Sequence, residues 1–360
     1  DYARINQFPE WFTADGDRLY RVTVEGQDTQ VVPGSSLWNW PVTLAPGGEL
    51  RVTIATVESS PRRLALTPKC AATLEAWQTE TRAALVELLK AGDALDHSNA
   101  TLQAKELTRE DRGSYWLRTV ELDASPVRRM RALVGIPKTL PARKAPAVVC
   151  IHGHGGTAES VYDGETAYKG FAAVLASQGY ITIAADVGQH DVYEEGRTLL
   201  GERLADLVRC VDYLRSRSWV DPDRIGCAGL SLGGEMAMWL GALDTRVRAT
   251  VSAGFLTMMD QMEQNHCMCW KLEGLRDLVD FPDIYSLIAP RALQCQIGRK
   301  EPATQFSPAL AVFALRQIQP AYKAAAVEDA LAMDLHDGGH EVDLPALLAF
   351  FDKYLRDSRM

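Results

Sequence analysis

The feature that most constrains the fold is the alternation of short apolar runs with longer amphipathic runs, from about residue 147 to the end of the 360-residue chain. Short apolar runs of this kind are typical of buried strands, and the amphipathic runs between them are typical of crossover helices. The pattern therefore predicts an α/β fold with a mostly parallel, doubly wound sheet. Its six parallel strands are expected in the segments AVVCI, YITIAAD, RIGCAGL, ATVSAG, RALQCQIG and ALAMDLHD.

Upstream of this region the pattern changes. The segments SYWLRTVELD and RMRALVGIPKT predict an antiparallel pair at the edge of the sheet, which gives eight strands in total. Nearer the start, alternating apolar and polar residues predict a small β-rich segment, followed by a helix capped near Thr67 with Pro68 in its first turn. We therefore expect an N-terminal segment over residues 1–110, in which AGDALDHSNA at 91–100 is a linker after the helix, and an α/β domain over residues 111–360, with an insertion at about 255–290.

Composition narrows the choice of partners. The formal net charge of -9 disfavours binding to nucleic acid and to anionic lipid surfaces. No window of the sequence approaches eighteen consecutive apolar residues, so we expect no membrane-spanning helix. Seven cysteines are an odd number, and four of them lie in apolar segments, which is typical of small buried hydrophobes in a reducing compartment. We expect a cytoplasmic protein, although the chain starts at Asp1 and secretion stays open; the sequence does not determine an oligomeric state.

One short segment, GLSLGG, places a serine where a predicted strand ends and a helix begins. Gly229, Ser231 and Gly233 satisfy the pattern G-x-S-x-G, in which a sharp turn lifts the serine hydroxyl clear of the sheet. The backbone N–H of Leu232 would then lie at a helix N-terminus and face a developing anion. A serine in an ordinary turn with packing glycines is the simpler alternative, but the strand-to-helix context favours a nucleophile.

A second glycine-rich segment, HGHGG, follows the predicted strand AVVCI. We assign a second oxyanion-hole N–H to the main chain of His154. The same loop also satisfies the dinucleotide fingerprint through Gly153, Gly155 and Ala158, but the acidic residue expected about twenty positions later is missing. The pattern therefore favours an oxyanion loop over a cofactor loop.

A base and an acid are expected after later strands, in the chain order Ser, acid, His. His340 follows two glycines just beyond the last predicted strand, whereas His336 falls inside that strand and is expected to be structural. Glu301 follows the preceding strand and could hold the Nδ1–H of His340. Asp260, after the strand ATVSAG, is the alternative acid.

With these residues in place, residues 117–355 resemble the α/β-hydrolase superfamily, and more narrowly the acetyl xylan esterase and dienelactone hydrolase-like bacterial esterases. The segments IHGHGG, RSWVDPDRIGCAGLSLGGEMA, NHCMCW, SLIAPRAL, GRKEP and GGHE carry the resemblance. It implies Ser231 as nucleophile, His340 as base and Glu301 in place of the more usual aspartate. It also implies that the substrates are short-acyl esters, either of small molecules or of carbohydrates such as acetylated sugars. No cofactor is implied.

Further residues are candidates for the substrate pocket. The segment NHCMCW invites a metal hypothesis, but Cys267 and Cys269 are one residue apart and no second cluster in the sequence completes four ligands, so we expect no metal. Trp270 is expected either in an apolar wall over the site or in the core. Gln189 and His190, in the loop GQHDVYEEGRTLLG, are candidates for polar substrate contacts.

Three other functions remain open at this stage. A serine peptidase of the same fold would use a large N-terminal propeller, which about 110 residues without repeats do not predict. A non-enzymatic binding protein on a hydrolase fold would not need the Ser, acid, His order. A dinucleotide oxidoreductase would need the fingerprint that the HGHGG loop satisfies only in part.

Overall fold

A nine-stranded sheet forms the centre of the structure, a computed structural model that describes residues 14–43, 45–58, 61–96, 103–140 and 144–356. A separate three-stranded antiparallel sheet has the order β2-β1-β3. The strands are β1 Leu19–Val24, β2 Gln30–Pro33, β3 Val52–Thr56, β4 Ala104–Asp111, β5 Tyr115–Asp123, β6 Arg129–Pro137, β7 Ala145–Ile151, β8 Ile181–Ala185, β9 Val220–Leu230, β10 Ala249–Ala253, β11 Ala292–Gly298 and β12 Leu331–His336.

The helices lie mainly between the strands of the large sheet. They are α1 Gly34–Leu37, α2 Pro68–Ala71, α3 Leu74–Leu89, α4 Gly92–Leu95, α5 Phe171–Ser177, α6 Leu199–Ser216, α7 Leu232–Leu243, α8 Met259–Asn265, α9 Leu275–Leu278, α10 Phe281–Ser286, α11 Pro308–Ala324 and α12 Leu344–Phe351. Short 3-10 turns occur at Ala158–Tyr162, Met268–Trp270 and Glu328–Ala330, and a π-turn at Asp352–Arg356 follows α12. No helix among the described residues is long and apolar enough to cross a membrane.

The large sheet is covered on both faces. Its order is β12-β11-β10-β9-β7-β8-β6-β5-β4, with parallel pairing from β12 through β8 and antiparallel pairing beyond it. Every residue of β7 is buried, and successive residues alternate between two core clusters, one with α6, α7 and α11 and the other with α5 and α12. Burial on both faces explains why the parallel strands read as continuous apolar runs. The predicted α/β sheet is confirmed.

The expected count of eight strands is wrong by one. The additional strand, β4, pairs antiparallel with β5 at the edge of the sheet. All eight of its residues are exposed, so it has no apolar pattern that would predict a strand. The expected boundary between residues 110 and 111 falls inside β4, so the end of the predicted N-terminal segment contributes to the large sheet.

The N-terminal segment contains the predicted strands together with β2, which the sequence did not indicate. The Thr67 side chain accepts the Cys70 N–H, as the predicted cap requires, but this first helix ends at Ala71, and α3 begins separately at Leu74. Within the predicted linker at 91–100, residues 92–95 form α4, and residues 97–102 lie outside the described residues.

The N-terminal segment packs against the α/β core. Val31, Leu64, Trp77, Leu85 and Leu89 belong to the same buried cluster as α6 and α7. This placement makes residues before β4 part of the main hydrophobic core.

Candidate active site

Ser231 occupies a sharp turn between β9 and α7. Its backbone has φ 62° and ψ -123°, a conformation that costs free energy in a residue with a Cβ. The Ser231 N–H donates to the carbonyl of Ala253 on β10 at 2.9 Å, which fixes the turn to the neighbouring strand. The predicted strand-to-helix corner is therefore present, and the half-buried serine side chain lies at the C-terminal edge of the sheet.

The glycines on either side of the serine permit this close packing. A Cβ on Gly229 would lie 2.2 Å from the carbonyl oxygen of Gly233, and a Cβ on Gly233 would lie 2.3 Å from that of Ile151. No side chain fits at these separations. The corner thus depends on both glycines, as the pattern G-x-S-x-G predicts.

His340 and Glu301 form a hydrogen-bonded pair. Nδ1 of His340 lies 2.9 Å from Oε1 and 3.0 Å from Oε2 of Glu301, whose carboxylate is 1% exposed. A buried carboxylate on Nδ1 places the ring proton there and leaves Nε2 with a free lone pair. The histidine ring also stacks on Phe306, with centroids 5.3 Å apart and planes 8° apart.

The imidazole lies beside the serine corner. A Cβ on Gly254 would be 2.8 Å from Cε1 of His340, and Gly254 directly follows Ala253, the residue that accepts the Ser231 N–H. The loops that carry the pair are also tied together, because Arg299 and Lys300 donate backbone N–H groups to His336 and Gly338 at 2.8 and 3.0 Å. The structure thus brings the serine, the imidazole and the carboxylate to one edge of the sheet.

The two alternative residues have other partners. Asp260 forms an ion pair with Arg276 at 2.6 Å, so its carboxylate is engaged away from His340. Nδ1 of His336 accepts the Gly338 N–H at 3.2 Å, which supports the turn before His340. Of the two candidate acids, the geometry therefore favours Glu301.

The HGHGG loop lies directly over the corner. A Cβ on Gly153 would be 2.8 Å from the Leu230 carbonyl and 3.2 Å from Cβ of Ser231. The Gly153 N–H donates to the hydroxyl of Tyr168 at 2.6 Å, and the Gly156 N–H donates to the Gly153 carbonyl at 3.1 Å. Those two amides are occupied, and the His154 amide stays the predicted oxyanion donor.

The other predicted amide comes from α7. Leu232 is the first residue of this helix, and the N–H groups of a first helical turn have no partner within the helix. Together with the positive end of the helix dipole, this amide favours an anion beside Ser231.

His152, by contrast, is structural. Its Nδ1 lies 2.8 Å from the Gly153 carbonyl, and its Nε2 accepts the Val187 N–H at 3.0 Å. Burial lowers its pKa, which keeps the ring neutral and suits these two roles. The ring therefore connects the HGHGG loop to the loop after β8.

The three candidates for substrate contacts have other partners in the structure. Trp270 is 2% exposed and packs edge-on against Phe281 in the core, so the prediction that it binds substrate is replaced by its alternative, a core residue. The side-chain amide nitrogen of Gln189 lies 3.5 Å from the Glu202 carboxylate, and the backbone carbonyl of Gln189 accepts a hydrogen bond from Arg203. His190 is exposed but contacts His154 and Cys267.

The expectation that no second cluster joins the two cysteines of NHCMCW is wrong. His154 and His190 come from two other loops, and their ligand atoms and those of Cys267 and Cys269 all lie within 4.8 Å of one another. Sequence reasoning also missed Tyr168 and Phe306. The Tyr168 hydroxyl accepts from the Gly153 N–H, and the Phe306 ring stacks on His340. Neither contact has a local sequence signal, since each residue lies more than ten positions from its partner.

Comparisons with known proteins agree with the fold. A model of the prolyl oligopeptidase family matches residues 167–278, and a model of an abhydrolase family matches residues 57–197. Together with the sheet order and the serine corner, these matches identify the chain as a protein of the α/β-hydrolase fold, and they support an enzyme of that type.

Particular relatives can then be named. The protein called putative hydrolase YtaP, from Bacillus subtilis (strain 168), is 29% identical over 245 residues, which cover 61% of this chain and 80% of that protein. A crystal structure of a putative acetyl xylan esterase from Bacteroides fragilis NCTC 9343 aligns with a TM-score of 0.61 and 22% identity, covering 76% of this chain and 78% of that one. A glucuronoyl esterase from Solibacter usitatus aligns with a TM-score of 0.57 and 16% identity, covering 77% and 93%.

Proposed function

We propose that the protein is a serine ester hydrolase whose nucleophile is Ser231. The observation that carries this proposal is the hydrogen-bonded pair of His340 and the buried Glu301 beside a serine held at positive φ. That arrangement supplies a base, its orienting acid and a nucleophilic hydroxyl in one place. Carboxylic esters are the substrate class that such a site attacks without a cofactor.

The reaction follows from the roles of the residues. Nε2 of His340 takes the Ser231 proton as Oγ attacks the ester carbonyl, and the carboxylate of Glu301 stabilises the imidazolium that forms. The amides of Leu232 and His154 donate to the oxyanion. The imidazolium then protonates the departing alcohol, which leaves an acyl-enzyme. Water activated by the same histidine releases the acid and regenerates the serine.

The substrate class is a finer part of the proposal. Structural neighbours include an acetyl xylan esterase from Paenibacillus sp. R4 and a glucuronoyl esterase from Solibacter usitatus. We propose short-acyl esters of small molecules or carbohydrates as substrates. A series of p-nitrophenyl esters from acetate to octanoate tests this, since a short-acyl enzyme loses activity as the chain lengthens.

The nucleophile is tested by Ser231→Ala with Ser177→Ala as a control. Ser177 lies at the end of α5 and its hydroxyl contacts Ala173 and Ser114, outside the candidate site. We expect Ser231→Ala to lower kcat by about 10⁴- to 10⁶-fold, because triad residues act as a unit. The control should retain wild-type kcat, and an equal kcat in both variants would refute the assignment.

A serine peptidase is the second candidate, because the family model that spans Ser231 is that of the prolyl oligopeptidase family. Peptidases and esterases share the acyl-enzyme chemistry, so the two differ in the leaving group. Peptide p-nitroanilides measured beside the p-nitrophenyl esters separate them. Cleavage of the anilides with a kcat/KM comparable to that of the esters would favour a peptidase.

A further inference from the structure

Four metal-ligating side chains meet at the rim of the candidate site. We call them the His–Cys cluster: His154, His190, Cys267 and Cys269. Nε2 of His154 lies 2.9 Å from Nε2 of His190, which lies 3.3 Å from Sγ of Cys267, and all four ligand atoms are within 4.8 Å of one another. They come from three separate loops, so their approach is a product of the tertiary fold.

The spacing suits a tetrahedral ion. Zinc binds histidine nitrogen at about 2.0–2.1 Å and cysteine sulfur at about 2.3 Å, which separates two nitrogens by about 3.3 Å and two sulfurs by about 3.8 Å. The two imidazole nitrogens are 2.9 Å apart, and no two of the four ligand atoms are more than 4.8 Å apart. Small side-chain rotations therefore suffice to reach the separations of a tetrahedral site. Two thiolates and two imidazoles are a donor set that favours Zn²⁺ over hard cations such as Mg²⁺ or Ca²⁺. We infer that the His–Cys cluster is a Zn²⁺ site.

The residues behind the cluster hold its loops in place. Oε2 of the fully buried Glu202 accepts the backbone N–H groups of Tyr193 at 2.9 Å and Glu194 at 2.8 Å, both in the His190 loop, and Oε1 accepts the Tyr193 N–H at 3.2 Å. Next to it, Arg203 donates to the Gln189 carbonyl. Two consecutive residues of α6 therefore fix the segment that presents His190.

Arg203 also has hydrogen-bonding capacity left for a thiolate at the cluster. Its guanidinium is fully buried, and both Nε and Nη1 have no hydrogen-bond partner among the described residues. The same guanidinium lies beside Cys269 and interacts with its sulfur. Buried N–H groups are normally satisfied, and a metal-bound thiolate is an acceptor that such groups commonly serve.

Zinc binding balances as a ligand exchange. Two S–H bonds, the contact between the imidazoles and the water ligands of hydrated Zn²⁺ are lost, two Zn–S and two Zn–N bonds form, and the waters and two protons pass to solvent. The two thiolates neutralise the ion. Four protein ligands complete its coordination, so the ion is structural and takes no part in the ester chemistry.

The expected consequence concerns the loop that carries His154. Zinc would join this loop to the His190 loop and to the excursion between β10 and β11, and so fix the position of the His154 amide. This part rests on the proposed function, in which that amide stabilises the oxyanion. Misplacing a catalytic group by about 1 Å can cost about 10²-fold in rate, so zinc removal should lower kcat by about 10- to 100-fold.

Metal content tests the site without reference to activity. Protein purified under reducing conditions is reconstituted with Zn²⁺, desalted and measured by elemental analysis, and a parallel sample is loaded with Co²⁺. We expect close to one equivalent of zinc per chain and the thiolate-to-cobalt charge-transfer bands of a tetrahedral site. The double variant Cys267→Ser/Cys269→Ser should lose both signals.

The matched control is Cys70→Ser, a half-buried cysteine of α2 that lies outside the His–Cys cluster and should keep the metal. Three outcomes would each overturn the site. They are wild-type protein that binds no zinc and shows no cobalt bands, a disulfide between Cys267 and Cys269 that survives reductant, and an equal zinc content in the double variant. An unchanged kcat in zinc-free protein would overturn the positioning role. If no preparation hydrolyses esters, the proposed function fails while the metal measurements still decide the site.

Discussion

At the scale of single residues, the choice of Glu301 over Asp260 is testable by a matched pair of amide substitutions. Glu301→Gln removes the charge that holds Nδ1–H of His340, whereas Asp260→Asn removes a charge that pairs with Arg276. We expect Glu301→Gln to lower kcat/KM by about 10²- to 10⁴-fold, because the ring loses its tautomer and the imidazolium its counter-charge. Asp260→Asn should change kcat/KM less than about threefold. If Asp260→Asn instead lowered kcat/KM more than Glu301→Gln in an ester assay, the role of the triad acid would be assigned to Asp260.

A second residue-scale prediction concerns Glu235, one turn into α7 beyond Ser231. Its side chain is fully buried and Oε1 has no hydrogen-bond partner among the described residues. Burial raises its pKa to about 7, and the positive charge of Arg203 opposes the shift. Since the unfolded chain has the ordinary pKa of 4.5, the folded state binds the extra proton between these values.

The sign of the pH dependence follows. Between pH 4.5 and about 7 the folded state holds more protons than the unfolded state, so the free energy of unfolding falls as pH rises, by up to about 3 kcal/mol. Glu235→Gln removes this loss, and its stability relative to wild type should increase with pH across that range. Urea unfolding across that range measures the difference, with the exposed Glu328→Gln as control. Parallel curves for wild type and Glu235→Gln would contradict it.

At the scale of elements, the sharp turn between β9 and α7 depends on space that only a glycine leaves. Gly233→Ala would place a Cβ 2.3 Å from the Ile151 carbonyl and 2.8 Å from that of His152, so α7 must move away from β7. We expect a loss of about 3 kcal/mol or more in the free energy of unfolding. Gly92→Ala is the control, because the nearest atom to its Cβ is 3.8 Å away. Equal thermal midpoints for the two variants would show that the corner tolerates a side chain.

The elements also show what the sequence can and cannot predict. A strand buried on both faces, such as β7, has a continuous apolar run that predicts it, and the chain order of the fold then indicates Ser231 and His340. The edge strand β4 is exposed along its whole length and has no such pattern. The His–Cys cluster depends on partners 36 and 77 positions apart in three loops, and no local spacing encodes that approach.

At the scale of the whole molecule, the contacts of α3 predict that the N-terminal segment and the α/β core unfold together. The side-chain amide of Gln78 is buried and donates to the carbonyls of Ser286, the last residue of α10, at 3.1 Å and of Ala289 at 2.8 Å, more than 200 positions away. Gln78→Ala leaves both carbonyls without this donor, which should cost about 1–3 kcal/mol.

Calorimetry separates a shared transition from two independent ones. If α3 is part of the core, wild type and Gln78→Ala each show one cooperative transition, and the variant unfolds at a Tm lower by a few degrees. Gln27→Ala, in the turn after β1, should leave the Tm unchanged because the Gln27 side chain is exposed. Two transitions, of which only the first responds to Gln78→Ala, would instead mean that the N-terminal segment unfolds separately and that the sheet holding Ser231 is stable without it.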